Sequence, residues 1–475
     1  MKRWKHPPLT LALALAFPAA MAQSNAELLK ALQDLQQRVT ELEARLKASE
    51  AAQAVPAAAQ WGMTPEQVQE FNRIAIKTEA MEDNVEMWGL KGLTISGYAD
   101  PTYLYNRNQK RAGFQFLNPQ SDGFFYDTSY IGSVAIDFTK ETDSGTRWKL
   151  TLTPNRGVGE VIGAGIVQEA TVSIPLTDLQ TRLLVGQVPD WSGYEYQQPT
   201  LNPFITHNLL YDFTLPTAYT GVGIDYTKGK WWARAMLANV NEPNGKQGER
   251  QPALVYRLDY SKGEFNGWGL AGLHGRTTNF NLCRDGDCTE FFKTATHLFE
   301  VDGYFIRGDW TVQGQLSYGT QKQAGIVPNA SGEFGKAEWW GLSGLAGYLI
   351  TPRLQALVRA DYIRNDKNGG GLLTYNGYWN GVEGGYGIDG PYGDYRNGIG
   401  PDPTLGCEDQ TLEGCTKGAD RYALSFGLKY AYNLNTTFKA EYRFDGSNLP
   451  VFAYVKDGSF RKHNHLFGAA VVVSF

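Results

Sequence analysis

RYALSFGLKYAYNLNTTFKAEYRFDG, residues 421–446, alternates with period two on both sides of a short turn. Tyr422, Leu424, Phe426, Leu428, Tyr430 and Tyr432 share one face, and Arg421, Ser425 and Lys429 share the other. After Asn433-Leu434-Asn435, Phe438, Ala440, Tyr442 and Phe444 alternate with Lys439, Glu441, Arg443 and Asp445. Such a pattern predicts two antiparallel strands. A soluble sheet alternates too. The charge on one face and the aromatics on the other favour strands whose apolar side meets lipid and whose polar side meets water. HNHLFGAAVVVSF, residues 463–475, repeats the pattern, with Phe467, Ala469, Val471, Val473 and Phe475 on one face. Its last aromatic suits a membrane interface.

Working outward, strands are expected near 93–105, 125–139, 146–154, 167–175, 181–189, 217–227, 231–240, 252–261, 268–277, 295–306, 310–319, 337–350, 354–364, 420–432, 436–446 and 463–475. Short turns at 228–230, 307–309, 351–353 and 433–435 alternate with long connections. The fold class is therefore all-β transmembrane: a 16-stranded antiparallel β-barrel, with fourteen or eighteen strands also compatible with the pattern. Short turns belong to the periplasmic side, which places both termini there. Sixteen strands enclose a water-filled channel. The longest connections are 190–216 and 365–419.

Residues 1–22 carry Lys2, Arg3 and Lys5, an apolar run from Leu9 to Ala20, and Ala20-Met21-Ala22. This is the layout of a cleaved signal peptide, too short to span a bilayer. Its removal takes the formal net charge from −5 to −8, which argues against a nucleic-acid partner. In residues 23–50, Leu28, Leu32, Leu35, Val39, Leu42 and Leu46 form a heptad seam that predicts an N-terminal α-helical coiled coil. In a parallel pair, Arg38 faces Glu43 and Arg45 faces Glu50 of the neighbouring chain. Three heptads are marginal alone, so the coil is expected where the barrels already hold the chains together. An Ala-rich linker, 51–62, leads to a periplasmic helix within 63–89, started by Thr64-Pro65-Glu66-Gln67. Residues 90–475 form the barrel.

Cys283/Cys288 and Cys407/Cys415 are two close pairs in an exported chain, which predicts disulfides restraining loops. Neither pair has Cys-x-x-Cys spacing with a partnering His, and His463-x-His465 sits at a strand end, where interface histidines are ordinary. No metal and no cofactor are expected. Neither Gly-x-Ser-x-Gly nor His-Glu-x-x-His occurs, and no catalytic residue is assigned.

Residues 93–475 resemble Gram-negative porins, and the 463–475 ending resembles their assembly signal, with Phe475 as its terminal aromatic. The coil ahead of the barrel is similar to trimeric porins with an N-terminal periplasmic coil. That resemblance implies outer-membrane lipids, a homotrimer and small hydrophilic solutes as partners. It also implies a third external loop folded into the lumen, here 190–216. Leu184-Val185-Gly186-Gln187 followed by Gly193-Tyr194-Glu195 is similar to the strand-to-loop passage of the phosphate-selective porin group. From Pro189 to Leu215, however, there is no Lys or Arg, so phosphate is not carried over.

Strand phase points Arg147, Lys149, Arg182, Arg234, Arg257, Arg359, Arg421, Lys429, Lys439 and Arg443 into the lumen. Asp100, Asp137, Glu169, Asp225, Asp259, Glu300, Asp302, Asp361, Glu441 and Asp445 join them. The constriction is expected where Asp190, Glu195 and Asp212 of the loop face Arg421, Lys429, Lys439 and Arg443. Such an arrangement sets up a transverse field; the alternative is that the charges pair along neighbouring strands. The loop's aromatics suit either stacking on sugars or packing against the wall. An adhesin or structural anchor using 365–419 is the rival to a diffusion channel.

Overall fold

The computed structural model describes residues 33, 36–45, 64–87, 89–117, 131–154, 166–242, 251–284, 287–325, 331, 333–367 and 417–475. They fall into two compact units, residues 1–90 and 91–475.

In the first unit, residues 36–45 are helical, with an Arg45–Glu41 ion pair of 3.1 Å one turn apart. Val39 and Leu42 of the expected seam are a little under half exposed, while Leu28, Leu32, Leu35 and Leu46 lie outside the described residues, as does the expected signal peptide. Helix α1, Pro65–Met87, starts with the capping box written in the sequence. Gln67 N–H donates to Thr64 Oγ1 (3.3 Å), and Thr64 N–H donates to Gln67 Oε1 (2.9 Å).

The second unit is a closed antiparallel barrel. Its first stave is split into β1, Leu93–Ala99, and β2, Thr102–Asn106, because Pro101 cannot donate to a ladder. The second stave is β3, Arg111–Gln115, paired with β2, and β4, Val134–Glu141, paired with β1. Staves three to nine are β5 (Arg147–Leu152), β6 (Val167–Pro175), β7 (Thr181–Pro189), β8 (Ala218–Lys228), β9 (Trp231–Val240), β10 (Ala253–Gly263) and β11 (Asn266–Arg284). Staves ten to fifteen are β12 (Asp287–Arg307), β13 (Trp310–Gln321), β14 (Ala337–Thr351), β15 (Leu354–Lys367), β16 (Arg421–Ala431) and β17 (Thr436–Ser447). A small hairpin, β18 (Phe452–Tyr454) with β19 (Ser459–Arg461), precedes β20, His463–Ser474. β20 closes the ring, pairing Thr436↔Val473 on one side and Tyr98↔Ser474 on the other.

Sixteen staves result, the number the alternation predicts. Three stretches correct the expected boundaries. Where a strand is expected at 125–139, β4 begins at Val134 with 118–130 outside the described residues, and β3 forms at Arg111–Gln115 in a stretch read as a connection. β11 and β12 run well beyond 268–277 and 295–306, because the stretch read as a loop pairs as one long hairpin. The β18–β19 hairpin is also new: Val451 and Phe452 bury with Ile363 and Ala423, which folds a connection that carries no clear alternation. Cys283 and Cys288 lie near the β11–β12 tip, where side chains are not among those described. Cys407 and Cys415, and nearly all of 365–419, also fall outside the described residues.

The outside of the barrel is an apolar belt bounded by aromatics. On β14, Trp340, Leu342, Gly344, Ala346 and Tyr348 point outward. Trp340 packs on Tyr362 (5.4 Å) near one rim, and Tyr348 packs on Trp310 (4.9 Å) near the other. Eight residues at ~3.4 Å each make about 27 Å of strand, or about 20 Å of height at the usual tilt, close to the thickness of a transmembrane barrel belt. Tyr422, Leu424, Phe426, Leu428 and Tyr430 repeat the arrangement on β16. Among the described residues, no helix is long and apolar enough to cross a membrane.

Candidate functional site

The connection from β7 to β8, residues 190–217, turns back into the barrel. Its sequence provides apolar side chains for burial and prolines at 199, 203 and 216 that interrupt regular structure. One short helix forms, α2, Leu209–Thr214, capped by Asn208, whose side chain accepts from Tyr211 N–H.

The apolar side chains of this loop fill pockets on the inner wall. Leu209 and Phe213 join Ile363, Ala423 and Phe452. Ile205 joins Leu104, Leu466 and Ala470, while Phe204 and Tyr194 join Leu345 and Leu357. Burial of each large side chain contributes roughly 1.5–3 kcal/mol. The wall makes room with glycine. A Cβ on Gly427 would stand 2.6 Å from the Phe204 ring, one on Gly341 would stand 2.8 Å from Leu210, and one on Gly468 would stand 3.0 Å from Ile205.

Charged wall residues then hold the loop backbone. Arg359 on β15 donates to Glu195 (2.9 Å), to the carbonyls of Thr206 (2.7 Å) and His207 (2.9 Å), and to Thr206 Oγ1 (3.1 Å). Asp361 lies 3.2 Å from its Nε. Glu441 on β17 accepts from the backbone N–H of Ile205 and of Thr206, both at 2.8 Å, and from the Thr206 hydroxyl (2.7 Å). Lys439 donates to the carbonyls of Pro199 (2.6 Å), Asn202 (2.7 Å) and Phe204 (3.1 Å). Arg443 donates to the His207 carbonyl (2.9 Å), to Thr206 Oγ1 (3.1 Å) and to Asp445 (3.0 Å). Every one of these groups is buried, so each would be costly without its partners.

The residues singled out in the sequence are distributed as follows. Asp212 is buried 3.8 Å from Arg443. Glu195 meets Arg359, and its other oxygen accepts from Asn208 N–H (2.6 Å). Asp190 accepts from the Tyr219 hydroxyl and from Ser192 (3.0 Å). Arg421 pairs with Asp445 (3.1 Å) and lies over the rings of Phe452 (4.4 Å) and Phe213 (5.4 Å). Lys429 sits opposite Lys439 in the β16–β17 ladder. Asp212 therefore meets Arg443 in direct contact, Glu195 meets Arg359 and not one of the four expected cations, Asp190 is held by hydroxyls, and Lys439 holds loop carbonyls. These two pairs do not face one another across an aqueous gap, because an unpaired charge in this packed interior would be strongly destabilised. Arg147 pairs with Glu141 (2.8 Å) in an exposed position, and Arg182 donates to Ser173 Oγ (2.7 Å) and the Gly145 carbonyl (2.6 Å). Phe475 exchanges two backbone hydrogen bonds of 3.1 Å with Gly97.

On the opposite side, the loop leaves a cavity of about 440 Å³ against β5–β10. Lys149, Glu169, Asp225, Arg234, Arg257 and Asp259 line it from the wall, and Asp190, Trp191 and Tyr196 line it from the loop. Lys149 pairs with Glu169 (2.7 Å). Arg257 makes a forked pair with Asp302 (2.7 and 3.0 Å) and also pairs with Asp259 (2.8 Å). Arg234 lies over Trp232 (4.0 Å) and Trp191 (4.7 Å).

A closed sixteen-strand antiparallel barrel, apolar outside, charged inside and carrying its third long connection in the lumen, is a porin-like fold. The chain belongs to a family described as a protein of unknown function (DUF3138), which it matches over residues 4–245 and 269–475. No curated protein matches it. Among solved structures, an anion-selective porin from Comamonas acidovorans is 10% identical, with 81% of this chain and 99% of that chain covered and a TM-score of 0.49. Salmonella typhi OmpF in complex with daunomycin is 11% identical, with 81% and 97% covered and a TM-score of 0.49. The outer membrane channel DcaP of Acinetobacter baumannii is 12% identical, with 81% and 97% covered and a TM-score of 0.46.

Proposed function

We propose that the protein is a passive diffusion channel for small hydrophilic solutes in the bacterial outer membrane. The observation that carries this reading is the inversion of polarity across the barrel wall. Tyr422, Leu424, Phe426, Leu428 and Tyr430 are exposed on the outside, while Arg359, Asp361, Arg421, Glu441 and Arg443 are buried within. A lipid environment outside and a polar lumen inside account for both.

In this reading, loop 190–217 narrows the lumen, and the cavity against β5–β10 lies on the permeation path. Asp190 faces that path, whereas Glu195, Asp212, Arg421, Lys439 and Arg443 shape it by holding the loop. The chain is exported by the 1–22 signal peptide. It forms a homotrimer, with residues 23–50 supplying a periplasmic coiled coil and 63–89 a periplasmic helix. Single-channel current in planar bilayers, with reversal potentials in a salt gradient, tests the function. Stepwise conductance supports it; purified, heat-modifiable barrel that inserts without conducting refutes it.

A further inference from the structure

We infer that the lumen cavity binds the carboxylate of a small organic acid at Arg234, which deepens the channel reading above and rests on it. The argument begins with the partners of each charge lining the cavity. Glu169 has Lys149, Asp259 has Arg257, and Glu195 has Arg359. Asp190 has Tyr219 and Ser192, and Asp225 accepts from Trp232 Nε1 (2.7 Å). The five Arg257 contacts, two to Asp302, two to Asp259 and one to the Trp191 carbonyl (2.8 Å), occupy that guanidinium fully. Arg234 alone among these lining charges makes no hydrogen bond or ion pair among the described residues, and its Nε is shut off from solvent without a partner.

Arg234 is also held in place. Trp232 precedes it by two on the inward face of β9, and Trp191 reaches it from the loop. Stacking uses the faces of a guanidinium and leaves its in-plane N–H groups directed outward, the geometry that receives two oxygens of one oxyanion. A second unpaired donor, Trp191 Nε1, is buried in the same lining. Both groups donate and neither accepts, so an oxyanion satisfies them where a cation or an amine does not. The indoles and the exposed Tyr196 ring supply faces for an organic body, which favours a carboxylic acid over a bare inorganic anion. A cavity of about 440 Å³ accommodates such a molecule.

The test uses benzoate as the probe, with inorganic phosphate and glucose as comparisons, on the full-length barrel in detergent and in bilayers. Benzoate is expected to quench tryptophan fluorescence saturably and to reduce chloride current. Arg234→Gln should weaken both effects by about tenfold or more, the loss of a charged hydrogen-bonding partner. Arg234→Lys keeps the charge without the planar fork and should also weaken binding, which covers a Gln variant that does not fold. Heat-modifiability checks folding of each. Wild-type protein that binds no benzoate, or variants that bind it as tightly as wild type, overturn the inference. Phosphate binding as tight as benzoate, or glucose competing equally, overturns the organic-acid assignment. Benzoate binding without conductance refutes the channel while leaving the site; conductance indifferent to benzoate refutes the site while leaving the channel.

Discussion

Replacing Arg359 with Met tests whether the loop is held by the wall. Arg359 is fully buried and donates to Glu195, to Thr206 Oγ1 and to two loop carbonyls. Glu441 lies 3.6 Å from it, and Asp361 lies 3.2 Å from it. Met fills comparable space but supplies no donor. Glu195, Asp361 and Glu441 would then sit together without their shared cation, and two carbonyls would lose their N–H. Breaking a buried pair by removing one partner costs about 3–5 kcal/mol. If that cost falls on the docked loop, its ratio to the undocked state drops by roughly 150- to 5,000-fold. The β14–β15 and β15–β16 ladders use backbone groups only, so the barrel itself should survive. The expected result is a heat-modifiable barrel with larger single-channel conductance and added current noise as the loop leaves the lumen. A folded Arg359→Met channel with wild-type conductance and noise would refute the reasoning, because the clamp would then not position the loop in the path.

Gly427→Ala should push the Phe204 ring from its seat, with a loss of about 1–3 kcal/mol visible as a lower thermal midpoint; an unchanged midpoint would show that the ring moves freely. Deleting Phe475 removes its two hydrogen bonds to Gly97 and should lower the amount of folded barrel in the membrane. Wild-type level and heat-modifiability in the truncated chain would remove Phe475 as an assembly signal. The intact chain should migrate as a detergent-resistant oligomer that boiling dissociates, and a monomer by light scattering would count against the trimer. Asp190→Asn, at the loop acid placed on the proposed path, should shift reversal potentials toward anions, and unchanged potentials would place Asp190 outside the path.

The barrel was legible because each strand solves the same local problem. Residues 421–446 must show one face to an apolar surrounding and one to a polar interior, and period two is the only strand pattern that does both. Boundaries at β7, Thr181–Pro189, and β9, Trp231–Val240, follow from that pattern alone. The loop's destination was legible in part, through its length and buried-type side chains. Its anchors were not. Glu195 and Arg359 are 164 residues apart, and nothing in the alternation of β15 marks Arg359 as the residue that meets the loop. Glu441 reads as one more lumen acid, yet it holds two backbone N–H groups. The glycines at 341, 427 and 468 carry a usable signal: small residues at inward strand positions mark where something packs against the wall.

The balance of lumen charge changes meaning once the loop is in place. Loop residues 190–215 bring carboxylates and carbonyls but no Lys or Arg. Lys439, Arg359 and Arg443 turn toward those acceptors, so three of the five cations that strand phase points inward on β15–β17 hold the loop, while Arg421 pairs with Asp445. Charges spent in this way carry little field into the water that remains. Across the lumen, on β5–β10, Lys149, Glu169, Asp225 and Asp259 are paired with neighbours, and Arg234 makes no hydrogen bond or ion pair among the described residues. On the channel function proposed above, selectivity is therefore to be sought on the wall the loop leaves free. In the proposed channel, Arg234 is the first residue to vary there, ahead of the rest of the ten positive and ten negative charges that strand phase places around the ring.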